Sequence, residues 1–347
     1  GVALAKVAAA KGGFYATHMR SEGDRILEAI DEVIELVKAT GIRAEISHLK
    51  TSGRKNWGKI DAVLEKIEGA MSQGLLLGSD RYPYCAAGTD LDIVLPDWAQ
   101  EGAAPAEMKR LEDAGLRARI VEEINASDRD WSEVMIGGTW ADENKPFSGK
   151  TVAEILTVPS RSSATGVGQP IRLPVPVGED ADGTVSPGEL ICSILERDGC
   201  KTGAFFFGMS EDNLKKIYSR PWIVPGSDAS LRAPWGPLGA DHPHPRAYAT
   251  MPEFYRRVRA LGFSREETVA RMTSVIADRF GIRGRGRIET GAFADLVIWD
   301  EAEFKAKATF TKPHQFTGGV RCVMVNGTIP YRDGAFTGDR GGRFLER

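Results

Sequence analysis

Near the start of the chain, two short apolar runs each hand over to a histidine as they break into polar positions: Phe14–Thr17 leads into His18, and residues 42–47 lead into His48. Between them Ile26, Leu27, Ile30, Val33, Ile34 and Val37 recur at helical spacing, opened by Ser21-Glu22-Gly23-Asp24 and closed by Gly41. The pattern predicts strand, helix, strand. A second amphipathic helix follows, with Trp57, Ile60, Val63, Leu64 and Ile67 on its apolar face, and then a third strand over 75–80 that runs into Tyr82-Pro83-Tyr84. Strand and helix alternating at about 30 residues per unit is the rhythm of a parallel βα barrel.

That rhythm stops near Gly88. Up to about Gly203 the pattern loosens into Pro, Gly and charged segments, with a helix expected over 106–125, a β-like run at 133–136, a helix over 152–156 and a long surface loop over 160–187. So long a loop is unusual in a compact fold, so the stretch reads as an insertion beside the barrel mouth, either a lid or a peripheral insert that touches no substrate. Regular structure returns at 203–207 and a helix over 212–218, and residues 222–225 form another strand that ends on Gly226-Ser227-Asp228. Beyond a Pro-stiffened loop, Asp241-His242-Pro243-His244-Pro245-Arg246, two helices are expected over 251–261 and 264–280. From about Arg285 short β-rich runs are joined by Asn-Gly and Asp-Gly turns. The resulting reading is an α/β protein, a partial TIM-type (β/α) barrel (its C-terminal half) with an insertion subdomain and a small C-terminal β module. Its divisions fall at 1–89, 90–202, 203–284 and 285–347. Because the chain opens inside an amphipathic helix, residue 1 is expected to be a truncation point.

Composition narrows the function classes. The 347 residues can bury a large core, and 42% hydrophobic with 27% charged residues is ordinary for a globular protein. A formal charge of −3 offers no basic field, so neither nucleic acid nor an anionic membrane is an expected partner. No apolar run reaches the roughly 18–20 residues a bilayer span needs. Cys85, Cys192, Cys200 and Cys322 lack zinc-like or redox spacing, which fits reduced thiols and a cytoplasmic location.

In a parallel barrel the carboxyl ends of the strands face one mouth, so residues distant in sequence converge there. His18 and His48 could therefore ligate one metal ion, with Asp228 as a third member of the constellation. Each also has a plain alternative: a strand-end histidine can be a hydrogen-bonded structural residue, and an Asp after a strand can be a cap.

Several motifs coincide with a known family. Residues 17–23 (Thr-His-Met-Arg-Ser-Glu-Gly), Ser47-His48-Leu49-Lys50, Asp80-Arg81-Tyr82-Pro83-Tyr84, Gly226-Ser227-Asp228 with His244-Pro245-Arg246, and the tail over 286–297 resemble the N-acyl-D-amino-acid deacylases, the D-aminoacylase branch of the amidohydrolase superfamily. The resemblance implies a metal-dependent barrel in which His18 and His48 ligate the metal and Asp228 is catalytic. It also implies a His-x-His pair on a first strand and a cysteine ligand soon after. This sequence has neither, so the early strands are expected to be missing.

Amide hydrolysis needs an activated water and relief of charge on the carbonyl oxygen. Zinc supplies both, lowering the pKa of water toward about 7 and acting as a Lewis acid. On this reading His18 and His48 hold zinc, and Asp228 is the general base that passes a proton to the leaving amine. The substrate, a small N-acyl amino acid, brings a carboxylate. Arg246 could pair with it bidentately, and Lys50, two residues past His48, is expected on the same strand face as the histidine. The resemblance adds Tyr82 as a hydrogen-bond donor to substrate. Where the family commonly shows Gly-Ser-Thr, this chain has Ala87-Gly88-Thr89, so a hydroxyl is absent at 88. His314 is expected to be exposed. Two alternatives stand beside the D-amino-acid deacylase: a hydrolase of cyclic amides, of dihydroorotase or hydantoinase type, and an inactive fragment that lacks the first-strand ligands and needs the other half of its barrel.

Overall fold

The structure, a computed structural model, describes residues 1–157 and 185–345. Most of the long loop expected over 160–187 lies outside the described residues; Pro187 itself opens a helix.

Helix α1 (Val2–Ala10) leads into β1 (Phe14–Thr17), α2 (Ile26–Thr40) returns to β2 (Arg43–Ile46), and α3 (Ile60–Ser72) returns to β3 (Leu77–Arg81). The two expected amphipathic helices form because their apolar positions fall on one face. Ile26, Ile30, Val33 and Val37 of α2 and Ile60, Val63, Leu64 and Ile67 of α3 are all buried. Each such side chain contributes about 1.5–3 kcal/mol relative to exposure. Gly41 ends α2 in the left-handed conformation (φ 65°), its N–H donating to the Val37 carbonyl.

The chain then departs through β4 (Ala87–Asp90), α4 (Asp97–Gln100), α5 (Ala103–Glu112), α6 (Ala114–Asn125), β5 (Val134–Ile136), α7 (Val152–Leu156), α8 (Pro187–Asp198) and β6 (Gly203–Phe206). The single helix expected over 106–125 is two helices. Asp113 adopts an extended conformation, and its carboxylate caps α6 by accepting the Leu116 N–H. Strands β4, β6 and β5 form an antiparallel sheet in that order, so the run at 203–206 belongs to this sheet and not beside the parallel strands. The sheet and its helices enclose a second core around Leu95, Ile120, Ile136, Phe147, Leu190 and Ile194.

Helix α9 (Glu211–Tyr218) brings the chain back to β7 (Ile223–Pro225), which completes a four-stranded parallel sheet of order β1-β2-β3-β7. On one face Ala44, Ile46, Leu77 and Ile223 pack into the main core beneath α2, α3 and α9. Alternation sends Ala16, Glu45, Gly78 and Asp80 to the other face. Helix α10 (Arg246–Ala260) follows, then α11 (Arg265–Met272) and α12 (Ser274–Phe280); the one helix expected over 264–280 breaks at Thr273 (φ −135°, ψ −87°). The tail forms an antiparallel sheet of β8 (Leu296–Trp299), β9 (Val320–Val325), β10 (Thr328–Arg332) and β11 (Ala335–Phe336). Asn326-Gly327 and Asp333-Gly334 turn the chain with positive φ at both residues, as two-residue hairpin loops require. Among the described residues no helix is long and apolar enough to cross a membrane.

Candidate metal centre

Strand register builds the site. Thr17 pairs with Ile46, Ile46 with Ser79, and Arg81 with Pro225, so the residues just beyond these positions emerge along one rim. His18 leaves β1 directly. His48 comes two residues after β2 ends and Asp228 three after β7, and both adopt left-handed backbone conformations (φ 44° and 47°). That conformation costs on the order of 1 kcal/mol or more for a residue with a Cβ. It turns both side chains inward: one potential ligand atom from each of His18, His48 and Asp228 falls within 4.8 Å of the others. His18 Nδ1 and His48 Nε2 are in direct contact.

Asp80, at the end of β3, fixes the His48 turn. Its carboxylate accepts the His48 N–H (2.9 Å) and its carbonyl accepts the Leu49 N–H (2.9 Å). Burial raises the Asp80 carboxyl above the ordinary range; the His48 hydrogen bond opposes this and the Asp228 charge adds to it. Gly226 is required beside it, since a Cβ there would lie 2.6 Å from Asp80 Cγ.

Behind His48, Glu22 Oε1 lies 2.8 Å from His48 Nδ1 and 2.5 Å from Lys50 Nζ. Burial pushes the Glu22 carboxyl upward, but the His48 hydrogen bond and the Lys50 charge outweigh it and leave it below its ordinary value. Lys50 is buried, with Nζ also 2.9 Å from His48 Nδ1 and 3.2 Å from its carbonyl oxygen. The expected strand alternation is not what places Lys50 there, because β2 ends at Ile46 and the chain turns at His48.

On the far side of the rim, Arg246 opens α10 and pairs through Nη1 with Asp228 Oδ2 (2.7 Å). Its guanidinium covers the ring of Tyr82 (4.6 Å), which is wholly buried and also lies against Arg81 (3.9 Å). The Tyr82 hydroxyl has no hydrogen-bond partner among the described residues. Both cations expected to await a substrate carboxylate are thus already paired, Lys50 with Glu22 and Arg246 with Asp228. His244 is structural: Nδ1 accepts the Arg246 N–H (3.0 Å), which leaves Nε2–H to donate to the Ala86 carbonyl (3.1 Å), and burial drives its pKa well below the ordinary value. His314 is half-buried and not exposed, bonded to the Asp241 carbonyl and the Tyr248 hydroxyl. A cleft of about 330 Å³ opens from Asp228 and Arg246 outward between Gly88, Thr89, Phe205 and Trp140.

Glu22 and Asp80 are the site residues that the sequence reading passed over. Both lie inside the motifs that carry the family resemblance. Asp80 also ends a strand, the feature that singled out the histidines; Glu22 had been absorbed into the opening of α2.

Two imidazoles and a carboxylate converging on one point suit zinc, which takes nitrogen and oxygen donors and commonly three protein ligands at catalytic sites. Histidines at two strand ends meeting an aspartate beyond a third over a parallel α/β sheet is the arrangement that the resemblance to the amidohydrolases implies, and the model of the Amidohydrolase family matches residues 195–331. The chain is 29% identical to N-acyl-D-glutamate deacylase of Alcaligenes xylosoxydans xylosoxydans over 346 residues, 99% of this chain and 56% of that protein. Among solved structures it superposes on a D-aminoacylase studied for its binuclear metal center (TM-score 0.71, 28% identity, all of this chain and 58% of that one). It also superposes on N-acyl-D-glutamate deacylase from Bordetella bronchiseptica complexed with zinc and a phosphonate inhibitor that mimics the tetrahedral intermediate (TM-score 0.69, 26% identity, 96% and 56%). Over nearly its whole length the chain is thus similar to the N-acyl-D-amino-acid deacylases and D-aminoacylases. It spans a little over half the length of the relatives it matches.

Proposed function

We propose that this chain carries catalytic machinery of a zinc-dependent hydrolase that cleaves N-acyl-D-amino acids to a D-amino acid and a carboxylate. The observation that carries the reading is the convergence of His18, His48 and Asp228 at one rim of the parallel sheet. The relatives' names support the substrate class, and the zinc in the Bordetella complex supports the choice of metal. On this reading the four parallel strands are one part of a TIM-type barrel, and the further length of the relatives would supply the remaining strands. The proposed units are the barrel elements at 1–89, an insertion subdomain at 90–202, the last barrel strand and helices at 203–284, and a β module at 285–347. The pairing of β6 with β4 and β5 favours extending the second unit to Phe206. The proposed location is the cytoplasm, in keeping with four unpaired cysteines.

His18 and His48 would hold the zinc, whose contribution when bound is to acidify water and polarise the scissile carbonyl. Asp228 takes a proton from the attacking water and delivers it to the amide nitrogen as the carbon–nitrogen bond breaks, so the amine leaves neutral and the acyl group leaves as a carboxylic acid, which gives up the second water proton to solvent and becomes a carboxylate. Arg246, Lys50 and Tyr82 border the place where the amino acid's carboxylate would sit. Because Arg246 already pairs with Asp228, an arriving carboxylate shares or takes over that guanidinium and frees an Asp228 oxygen to accept a proton. The test is hydrolysis by the full-length gene product of N-acetyl-D-methionine and N-acetyl-D-glutamate against hydantoin and dihydroorotate. Turnover of the acyl amino acids is the expected result, and preference for a ring substrate would overturn the assignment.

A further inference from the structure

His48 can ligate through Nε2 only if that nitrogen keeps its lone pair, which in a neutral imidazole requires the proton on Nδ1. Two groups compete for Nδ1. Lys50 Nζ, 2.9 Å away, can only donate; Glu22 Oε1, 2.8 Å away, can only accept. If Lys50 prevailed, the proton would move to Nε2, which would then donate to His18 Nδ1 and present no lone pair to a cation. The other contacts decide the contest. Lys50 Nζ reaches Glu22 Oε1 at 2.5 Å and the His48 carbonyl at 3.2 Å, so two of its three protons have acceptors without the ring. An unprotonated Nδ1 would instead set a lone pair against a carboxylate oxygen at 2.8 Å, which is repulsive, whereas Nδ1–H donating to a carboxylate is a charge-assisted bond.

We propose that Glu22 is a positioning residue that selects the His48 tautomer, holding the proton on Nδ1 and turning Nε2 toward His18 and Asp228, while Lys50 clamps Glu22 and leaves the ring alone. The inference rests on the reading of His48 as a metal ligand for its functional meaning, but not for its geometry. It deepens that reading by giving the ligand an orienting carboxylate, an arrangement whose loss typically weakens metal affinity by about 10- to 100-fold.

The test follows the imidazole nitrogens of the metal-free chain by ¹⁵N NMR, with His48 assigned from a His48→Asn variant, at a pH where the ring is neutral. The expected result is Nδ1–H in the wild type, loss of that preference in Glu22→Ala, retention in Glu22→Gln, whose side-chain oxygen still accepts, and retention in Lys50→Met. Nε2–H in the wild type, or a Glu22→Ala spectrum unchanged from it, would overturn the proposal. Zinc affinity by chelator competition is the second readout, with a fall of about 10- to 100-fold expected for Glu22→Ala and a smaller one for Glu22→Gln. A purely structural Glu22 would lower the melting temperature of both variants without moving the tautomer. If the wild-type chain shows the expected tautomer and the full-length gene product binds no zinc, the metal reading fails while the role of Glu22 stands.

Discussion

The open face of the parallel sheet carries buried charge at both of its ends, and the two ends use it differently. Toward the amino end Glu45 is closed on itself: Arg279 holds both carboxylate oxygens (3.0 and 3.2 Å) and also donates to the Ser79 and Trp222 carbonyls. Gly78 is pressed against the pair, where a Cβ would lie 2.6 Å from Arg279 Cζ and from Glu45 Oε2. At the carboxyl rim the ion pairs Glu22–Lys50 and Asp228–Arg246 adjoin two imidazole nitrogens and a carboxylate oxygen that all lie within 4.8 Å of one another. Buried charge at one end of the sheet joins strand to helix; at the other it adjoins potential ligand atoms gathered at one point. Burial alone therefore does not mark a functional residue. What separates the two ends is whether the polar atoms find all their partners within the protein.

Substitutions at the two ends should accordingly act on different properties. Asp228→Asn in the full-length gene product should lower kcat by about 10²- to 10⁴-fold with little change in the unfolding midpoint, as measured by steady-state kinetics and thermal melting. Equal loss at both would place Asp228 with the structural charges. Arg279→Met should instead destabilise by about 1–3 kcal/mol for each acceptor left without its donor among Glu45 and the Ser79 and Trp222 carbonyls, and urea titration reads this directly. Arg246→Met should raise KM for N-acyl amino acids by about 10- to 100-fold, the loss of one charged hydrogen-bonded contact, while a substrate amide lacking the carboxylate should show no such penalty. Gly78→Ala, which crowds the closed pair, should cost about 1–3 kcal/mol.

The amino-end pair also predicts a pH dependence. Burial raises the Glu45 carboxyl from its ordinary 4.5 to about 7, with the Arg279 charge opposing the shift. The folded state then binds more protons than the unfolded state between those values. The Glu45 contribution is therefore full below pH 4.5 and lost as pH rises through about 7. Urea titrations of wild type and Glu45→Gln across pH 4.5–7 should differ in slope, the wild type losing stability relative to the variant as pH rises.

Much of this architecture was legible along the chain because it is local. The apolar stripes of α2 and α3, the strand endings at His18 and Asp228 and the Asn326-Gly327 turn are written in neighbouring residues. The breaks at Asp113 and Thr273 were not, since a capping carboxylate and one off-helix backbone angle hardly disturb a hydrophobic period. Pairing was the larger gap. Gly203–Phe206 looks like any apolar strand until β4 and β5 claim it, and Lys50 and Arg246 look like free cations until Glu22 and Asp228, distant in sequence, are folded against them. Lys50 also shows a correct neighbourhood reached for the wrong reason: strand alternation predicted its place beside His48, and a left-handed turn put it there.

That turn bears on how the protein could be engineered. His48 and Asp228 both occupy a backbone region that glycine enters without steric cost. A library selected only for heat resistance would drift toward glycine at these two positions and shed the imidazole and the carboxylate together. Any campaign to harden the scaffold has to score survival and turnover in the same round.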